Sequence, residues 1–496
     1  MRITNSMMNN NTRNNINLNK LNEDRLNTMI ASGQKITRPS DDPIIAIRAL
    51  RLNSNISEVN QYYDKNIPDA DAWLEITETA LSQTDGVLSD IHQCLTTGAS
   101  DDNTAEDRLN ILTDLSALRD QIYSAGNADY AGRTVFTGYR TGEPLTFTED
   151  TTNLYTITEL FDANDVECIT YISGGIDVNK ADLTNANTEQ DIQSNDVYRI
   201  RLAYDNLTAA QVDQDGTALP KIITINGTDY PVSTVSLTGD PAIDDGYYTS
   251  IGTNDVRLIA DTGELILGEN VRKAMQGTTG TVSFKYAKED FEKNDLRPEH
   301  YFTCTDKDKT DYNSPSFENK SISYEVSFSQ SIKINTNANE VFTHDIGRDV
   351  DELIAATQAV VDCDEKIATL ESMQADSQYT EAEQEKITEM LAAATKERDL
   401  LKDKMQKMFS QGLTDFDGYS ATTNLALARA GSMRSRLELT KERVGDQLSS
   451  FKELADSNIN INLTDAGIDL KAASLALEAA QLAAAKIAQQ TLLNYL

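Results

Sequence analysis

Two helical ends around a strand-rich middle predict a mixed fold: a long α-helical coiled-coil bundle formed by both termini, with one or more inserted antiparallel β domains and an extra helical hairpin. Three observations carry this. Apolar residues recur every seventh position near the start (Ile67, Leu74, Leu81, Leu88, Leu95) and again toward the end (Ala430, Leu437, Val444, Phe451). Between them the period falls to two: Ile322, Tyr324, Val326 and Phe328 alternate with Ser323, Glu325, Ser327 and Ser329. A charge-dense stretch at 349–410 then returns to helical spacing. The segments expected are a helical assembly region at 1–140, outward-facing β structure at 141–345, a hairpin insertion at 346–410 and a second helical assembly region at 411–496 that pairs with the first.

The opening helix is unusual. Ten of the first 27 residues are Asn, each about 0.6 kcal/mol worse than Ala inside a helix. Leu18, Leu21, Leu26, Met29 and Ile30 still fall broadly on one face. Such a helix is marginal alone and forms against a partner. Gly33 suits the left-handed position after a helix end. Asp42 suits an N-cap with Pro43 at the first helical position. The heptad run from Ile67 to Leu95 spans ~40 Å as a helix, with Thr77 and Thr84 interrupting its partner positions. A turn at 98–104 leads to a helix whose face is Ile111, Leu115, Leu118 and Ile122.

Strands are expected at 196–203, 221–225, 256–267, 281–286 and 321–334, punctuated by Asp215-Gly216, Asn226-Gly227 and Thr262-Gly263. The 349–410 hairpin turns at Ser377–Thr380 and reads as a projecting coiled coil. The last helix carries Ile468, Ala472, Leu475, Ala479 and Leu482 at alternating steps of four and three, then Leu493 and Leu496. An apolar stripe on a terminal helix requires a partner.

Composition excludes several functions. With 44 Lys+Arg against 79 Asp+Glu the net charge is −35, the wrong sign for nucleic acid or an anionic membrane surface. Cys94, Cys168, Cys304 and Cys363 are scattered, as are His92, His300 and His344, so zinc spacing is absent. Asp306, Asp308 and Asp311 resemble a calcium loop only loosely, without its glycine. No zinc-protease, nucleophile-elbow or phosphate-loop motif occurs. The expectation is a chain without cofactor, metal or catalytic residues. The N-terminus lacks the apolar core of a cleaved signal peptide, and no stretch of about eighteen apolar residues exists to span a membrane.

Both ends together resemble the flagellin superfamily. The residues that carry the resemblance are Met1-Arg2-Ile3-Thr4, Ile30 to Ile36, Pro39 to Pro43, Asn127 to Gly132 with Val135, Phe136 and Gly138, Ser327 to Phe342, and Gly431 to Glu438. The Ser40-Asp41-Asp42-Pro43 run followed by Ile44-Ile45-Ala46 looks more like the hook–filament junction branch than filament flagellin. The resemblance covers about 1–140, 321–345 and 411–496; residues 145–320 carry none. It implies a structural subunit of the bacterial flagellum, exported unfolded by the flagellar apparatus with a chaperone and without cleavage. Its partners would be a hook-associated protein on the hook side, flagellin on the filament side, and copies of itself. The alternatives are a filament flagellin, or a flagellar scaffold that displays a ligand-binding or enzymatic middle. The expected assembly residues are Leu18, Leu21, Leu26, Met29, Ile30, Ile468, Leu475, Ala479, Leu482, Leu493 and Leu496. Those expected to close the intrachain coiled coil are Ile67, Leu74, Leu81, Leu88, Leu95, Leu437, Val444 and Phe451.

Overall fold

Gly33, at φ +71°, ends the first helix where the sequence places a left-handed residue. In the computed structural model that helix is α1 (Asn5–Ser32), followed by α2 (Pro43–Gln61), a π-helical turn (Tyr62–Asn66), α3 (Ile67–Gly98) and α4 (Ala105–Gly126). The residues described are 5–100, 103–173, 175, 178, 183, 188–237, 247, 251–312 and 321–493. The chain divides into two compact units: Met1–Ala70 with Tyr324–Ile332 and Ser435–Leu496, and Asp71–Ser323 with Lys333–Arg434. This differs from the four segments read from composition, because composition marks the type of element whereas contacts decide what packs with what.

In the first unit, Asp42 caps α2 by accepting hydrogen bonds from the Ile44 and Ile45 amides at 2.9 and 3.2 Å. The turn at Tyr62–Asn66 is held by the two-stranded sheet of β13 (Ser323–Ser327) and β14 (Gln330–Lys333). Phe328 stands edge-on to Tyr62 and to Phe451, at 5.9 and 6.4 Å between ring centres. Asn66 donates to the Glu325 carbonyl, and the Tyr324 hydroxyl donates to Asp69.

The second unit holds the sheets. One has the order β10 (Val282–Lys288), β3 (Tyr155–Phe161), β11 (Thr303–Thr305), β12 (Asp311–Tyr312). The other has the order β4 (Val166–Ser173), β5 (Gln193–Arg201), β9 (Glu264–Leu267), β8 (Val256–Ile259), β7 (Thr228–Val235), β6 (Ile222–Ile225). A two-strand ribbon, β1 (Asp129–Tyr130) with β2 (Arg133–Thr134), and two short helices, α5 (Glu269–Gln276) and α6 (Pro298–Tyr301), complete the middle. Pairing is antiparallel except for β7 and β8, which run parallel from Val232↔Val256 to Val235↔Ile259. Asn226-Gly227 turns β6 into β7 with both residues at positive φ, 50° and 79°. Both sheets share one apolar core that includes Ile157, Phe161, Ile200, Val256, Leu265 and Tyr286.

The hairpin consists of α7 (His344–Ala375) and α8 (Glu381–Ile459). Thr380 and Glu383 bond at 2.7 and 2.8 Å to start α8. The boundary drawn at 410/411 falls inside this 79-residue helix. Nor is the hairpin bare. Ile367, Leu370, Ile387 and Met390 bury Ile192 among them, with Ile172 and Leu183 packed alongside. Lys386 and Lys396 donate to the Leu183 and Glu189 carbonyls at 3.1 and 2.7 Å. The described residues Leu183, Glu189 and Ile192, between β4 and β5, therefore lie against the hairpin's outer half. Alternation within α7 and α8 gave no sign of this, because the covering residues lie some 200 positions away.

Candidate assembly interface

The terminal helices pair within the first unit. α1 runs antiparallel to α9 (Leu463–Leu493). Their junction is closed by the Lys35 amide donating to the Ile459 carbonyl at 2.7 Å and the Ile461 amide donating to Gly33 at 3.1 Å. Farther along, the Asn19 side chain donates to the Ala476 carbonyl at 3.4 Å. In α9, Ala466, Ala473 and Leu477 are buried while Leu470, Ala480 and Ala484 are half-buried, a 4-3-4-3-4 seam. In α1, Thr12, Ile16, Asn19, Glu23, Leu26 and Ile30 are half-buried at the same steps. Three of those six are polar, so the pair has a thin core, and its alanines supply close approach in place of large apolar area.

The sequence-predicted assembly residues divide between two faces. Leu26, Met29 and Ile30 are half-buried. Leu18, Leu21, Ile468, Leu475 and Leu482 point outward and are 63–67% exposed, and Ala479 is exposed with them. Leu496 and the side chain of Leu493 lie outside the described residues. Periodicity finds two interleaved apolar stripes on α9, one turned to α1 and one to solvent. An alanine-rich helix gives no sequence signal for which is which. The residues that were not singled out are Ala466, Ala473 and Leu477, and on α2 the exposed Ile44, Ile47 and Leu50.

The coiled-coil set is placed inside. In the first unit Ile67, Leu437 and Val444 are 1% exposed, and Phe451 is half-buried against Phe328. In the second, Leu74, Leu81, Leu88 and Leu95 are fully buried. Thr77 and Thr84, which interrupt the heptads, are equally buried. Each hydroxyl donates to the carbonyl one turn back, Trp73 at 2.8 Å and Ala80 at 2.9 Å, so neither hydroxyl is stranded. Arg434 on α8 meets Asp71, Glu75 and Glu78 on α3 at 3.0, 3.3 and 3.2 Å.

The second unit is locked by buried charge. Arg199 on β5 is paired with Glu264 on β9, with Glu352 on α7 at 2.8 Å and with Glu167 on β4 at 3.0 Å. Arg201 meets Asp349 at 2.7 Å. Burial alone would raise the Glu352 carboxyl, but the two guanidiniums outweigh it and hold it down at about 2. Among the described residues no group of three or more His, Cys, Asp or Glu is placed to hold a metal. No described helix is long and apolar enough to cross a membrane.

Residues 3–141, from α1 through the ribbon after α4, match the family described as the bacterial flagellin N-terminal helical region. Over these residues the chain is similar to that family. Flagellar hook-associated protein 3 of Salmonella typhimurium is 30% identical over 142 residues, which cover 28% of this chain and 44% of that protein. Its counterpart in Escherichia coli K12 is 28% identical over 151 residues, covering 30% of this chain and 47% of that one. The chain thus spans under half the length of the curated relatives it matches. Among solved structures, a putative flagellar hook-associated protein of Vibrio parahaemolyticus aligns over 82% of this chain and 100% of its own, at 13% identity and a TM-score of 0.28. The hook-associated protein 3 of Legionella pneumophila aligns over 82% and 97%, at 10% identity and a TM-score of 0.27.

Proposed function

We propose that this chain is a structural subunit of the bacterial flagellum that joins the hook to the filament and polymerises through its terminal helices. The observation that carries the reading is the flagellin-type match over residues 3–141, shared with relatives named flagellar hook-associated protein 3. The paired α1 and α9 fit this role: they hold each other through a thin seam and keep Leu18, Leu21, Ile468, Leu475 and Leu482 facing outward. Burying those five against neighbours contributes roughly 1.5–3 kcal/mol each. The neighbours in this reading are a hook-associated protein on the hook side, flagellin on the filament side and further copies of the chain. A flagellar export chaperone is a further partner in this reading, and the flagellar export apparatus is the route out of the cell. The relatives are named as flagellar components, which suggests a structural and not a catalytic role.

Immunogold microscopy on intact flagella with antibody to residues 145–320 tests this. Gold is expected only at the hook–filament boundary. Gold along the whole filament would make the chain a filament flagellin, and flagella free of gold would remove it from the organelle.

A further inference from the structure

The outer face of α2 has the wrong character for water. Its inward arc is formed by buried Ala46 and Val59 with half-buried Ile45, Ala49, Leu52 and Ile56. The opposite arc of a surface helix is ordinarily polar. Here it presents Ile44, Ile47 and Leu50 at 66%, 52% and 67% exposed, flanked by Arg48 and Arg51. No acidic residue occurs from Pro43 to Ser57. Among the described residues neither arginine makes an ion pair.

Charge is distributed unevenly between the two units. Met1–Ala70, Tyr324–Ile332 and Ser435–Leu496 together carry 15 basic and 16 acidic side chains, so nearly all of the −35 falls on the second unit. Within that unit the outward face of α4 carries one exposed large aliphatic, Leu109, at one edge, with exposed Glu106 one turn from it and exposed Asp114 and the capping Asp107 toward the other edge. One chain therefore bears an apolar, cationic helix face and an anionic one that exposes a single leucine.

We infer that the outer face of α2 docks on the acidic face of α4 of a second copy of this chain. This rests on the proposed function as an assembling subunit and names the contact. Two α2 faces brought together would oppose arginine to arginine, and two α4 faces would oppose carboxylate to carboxylate. The complementary arrangement joins unlike faces. A heterologous contact of that kind leaves a free face at each end and propagates instead of closing as a dimer. Aliphatic side chains supply the attraction, and the Arg48 and Arg51 guanidiniums against Glu106 and Asp114 supply orientation and partner choice.

The test is a photo-crosslinker placed at Ile47 of the full chain, in a concentrated mixture of isotopically light and heavy copies. Mass spectrometry should find light–heavy products joining residue 47 to peptides from residues 105–126. Products confined to one copy, products on another surface of the second copy, or no product would each overturn the assignment. A charge exchange provides the second arm. Arg48→Glu with Arg51→Glu should weaken self-association at least tenfold at low salt, and adding Glu106→Lys with Asp114→Lys should restore it. Weakening without restoration would mean that α4 is not the partner face. Gold at the hook–filament boundary with no crosslink to α4 leaves the junction reading standing and removes this one; the crosslink without such gold does the reverse.

Discussion

Glu159 lies enclosed in the core of the two sheets, where its carboxylate accepts from the Tyr286 hydroxyl at 2.9 Å and the Ala203 amide at 3.2 Å. Burial outweighs these bonds and pushes its carboxyl up to about 7 from 4.5. The folded protein therefore keeps a proton that the unfolded chain has already released. Stability from this residue is full below pH 4.5, declines as pH rises toward 7 and stays flat above, a loss on the order of 3 kcal/mol. Glu159→Gln should remove that decline, seen as thermal melts whose dependence on pH between 5 and 7 is flatter than wild type. Arg199 is the opposite case, a buried charge already neutralised. Arg199→Ala strips the buried Glu264 of its guanidinium and leaves Glu352 with Arg201 alone, and denaturant unfolding should show a loss of about 3–5 kcal/mol. Neither effect is legible in sequence, where Arg199 reads as a polar strand position and Glu159 falls in none of the expected strands. Asp42 differs: its cap is written locally as Asp-Pro before an apolar run, and the structure places it there.

Element boundaries follow how local their causes are. The α2 start, the α4 start at Thr104 with its reciprocal Asp107 bonds, and the Asn226-Gly227 turn depend on a few adjacent residues, so sequence reads them. The parallel pairing of β7 with β8 does not, because strand direction is chosen by the connection between them. α8 runs unbroken through residue 410, where composition placed a domain boundary, and through Gly412 and Gly418. α1 and α9 depend on each other. Deleting residues 1–30 or 470–496 should leave the second unit folded, with its circular dichroism and melting unchanged, yet abolish assembly as read by sedimentation. Normal filament growth in such a strain would remove the assembly role from these helices.

At the scale of the whole molecule, heptads at both termini, a period of two between them and a charge of −35 already determine a strongly acidic helical bundle with an inserted β region. Those features are legible because hydrophobic spacing and net charge are sums over the chain and need no partner to define them. Tertiary structure alone decided which of the two apolar stripes on α9 faces α1 and which faces solvent, that α2 keeps Ile44, Ile47 and Leu50 outside, and that the acidity belongs to one unit while the other is nearly neutral. Each of these depends on which residues become neighbours across hundreds of positions, and periodicity records only that a face is apolar, never what covers it.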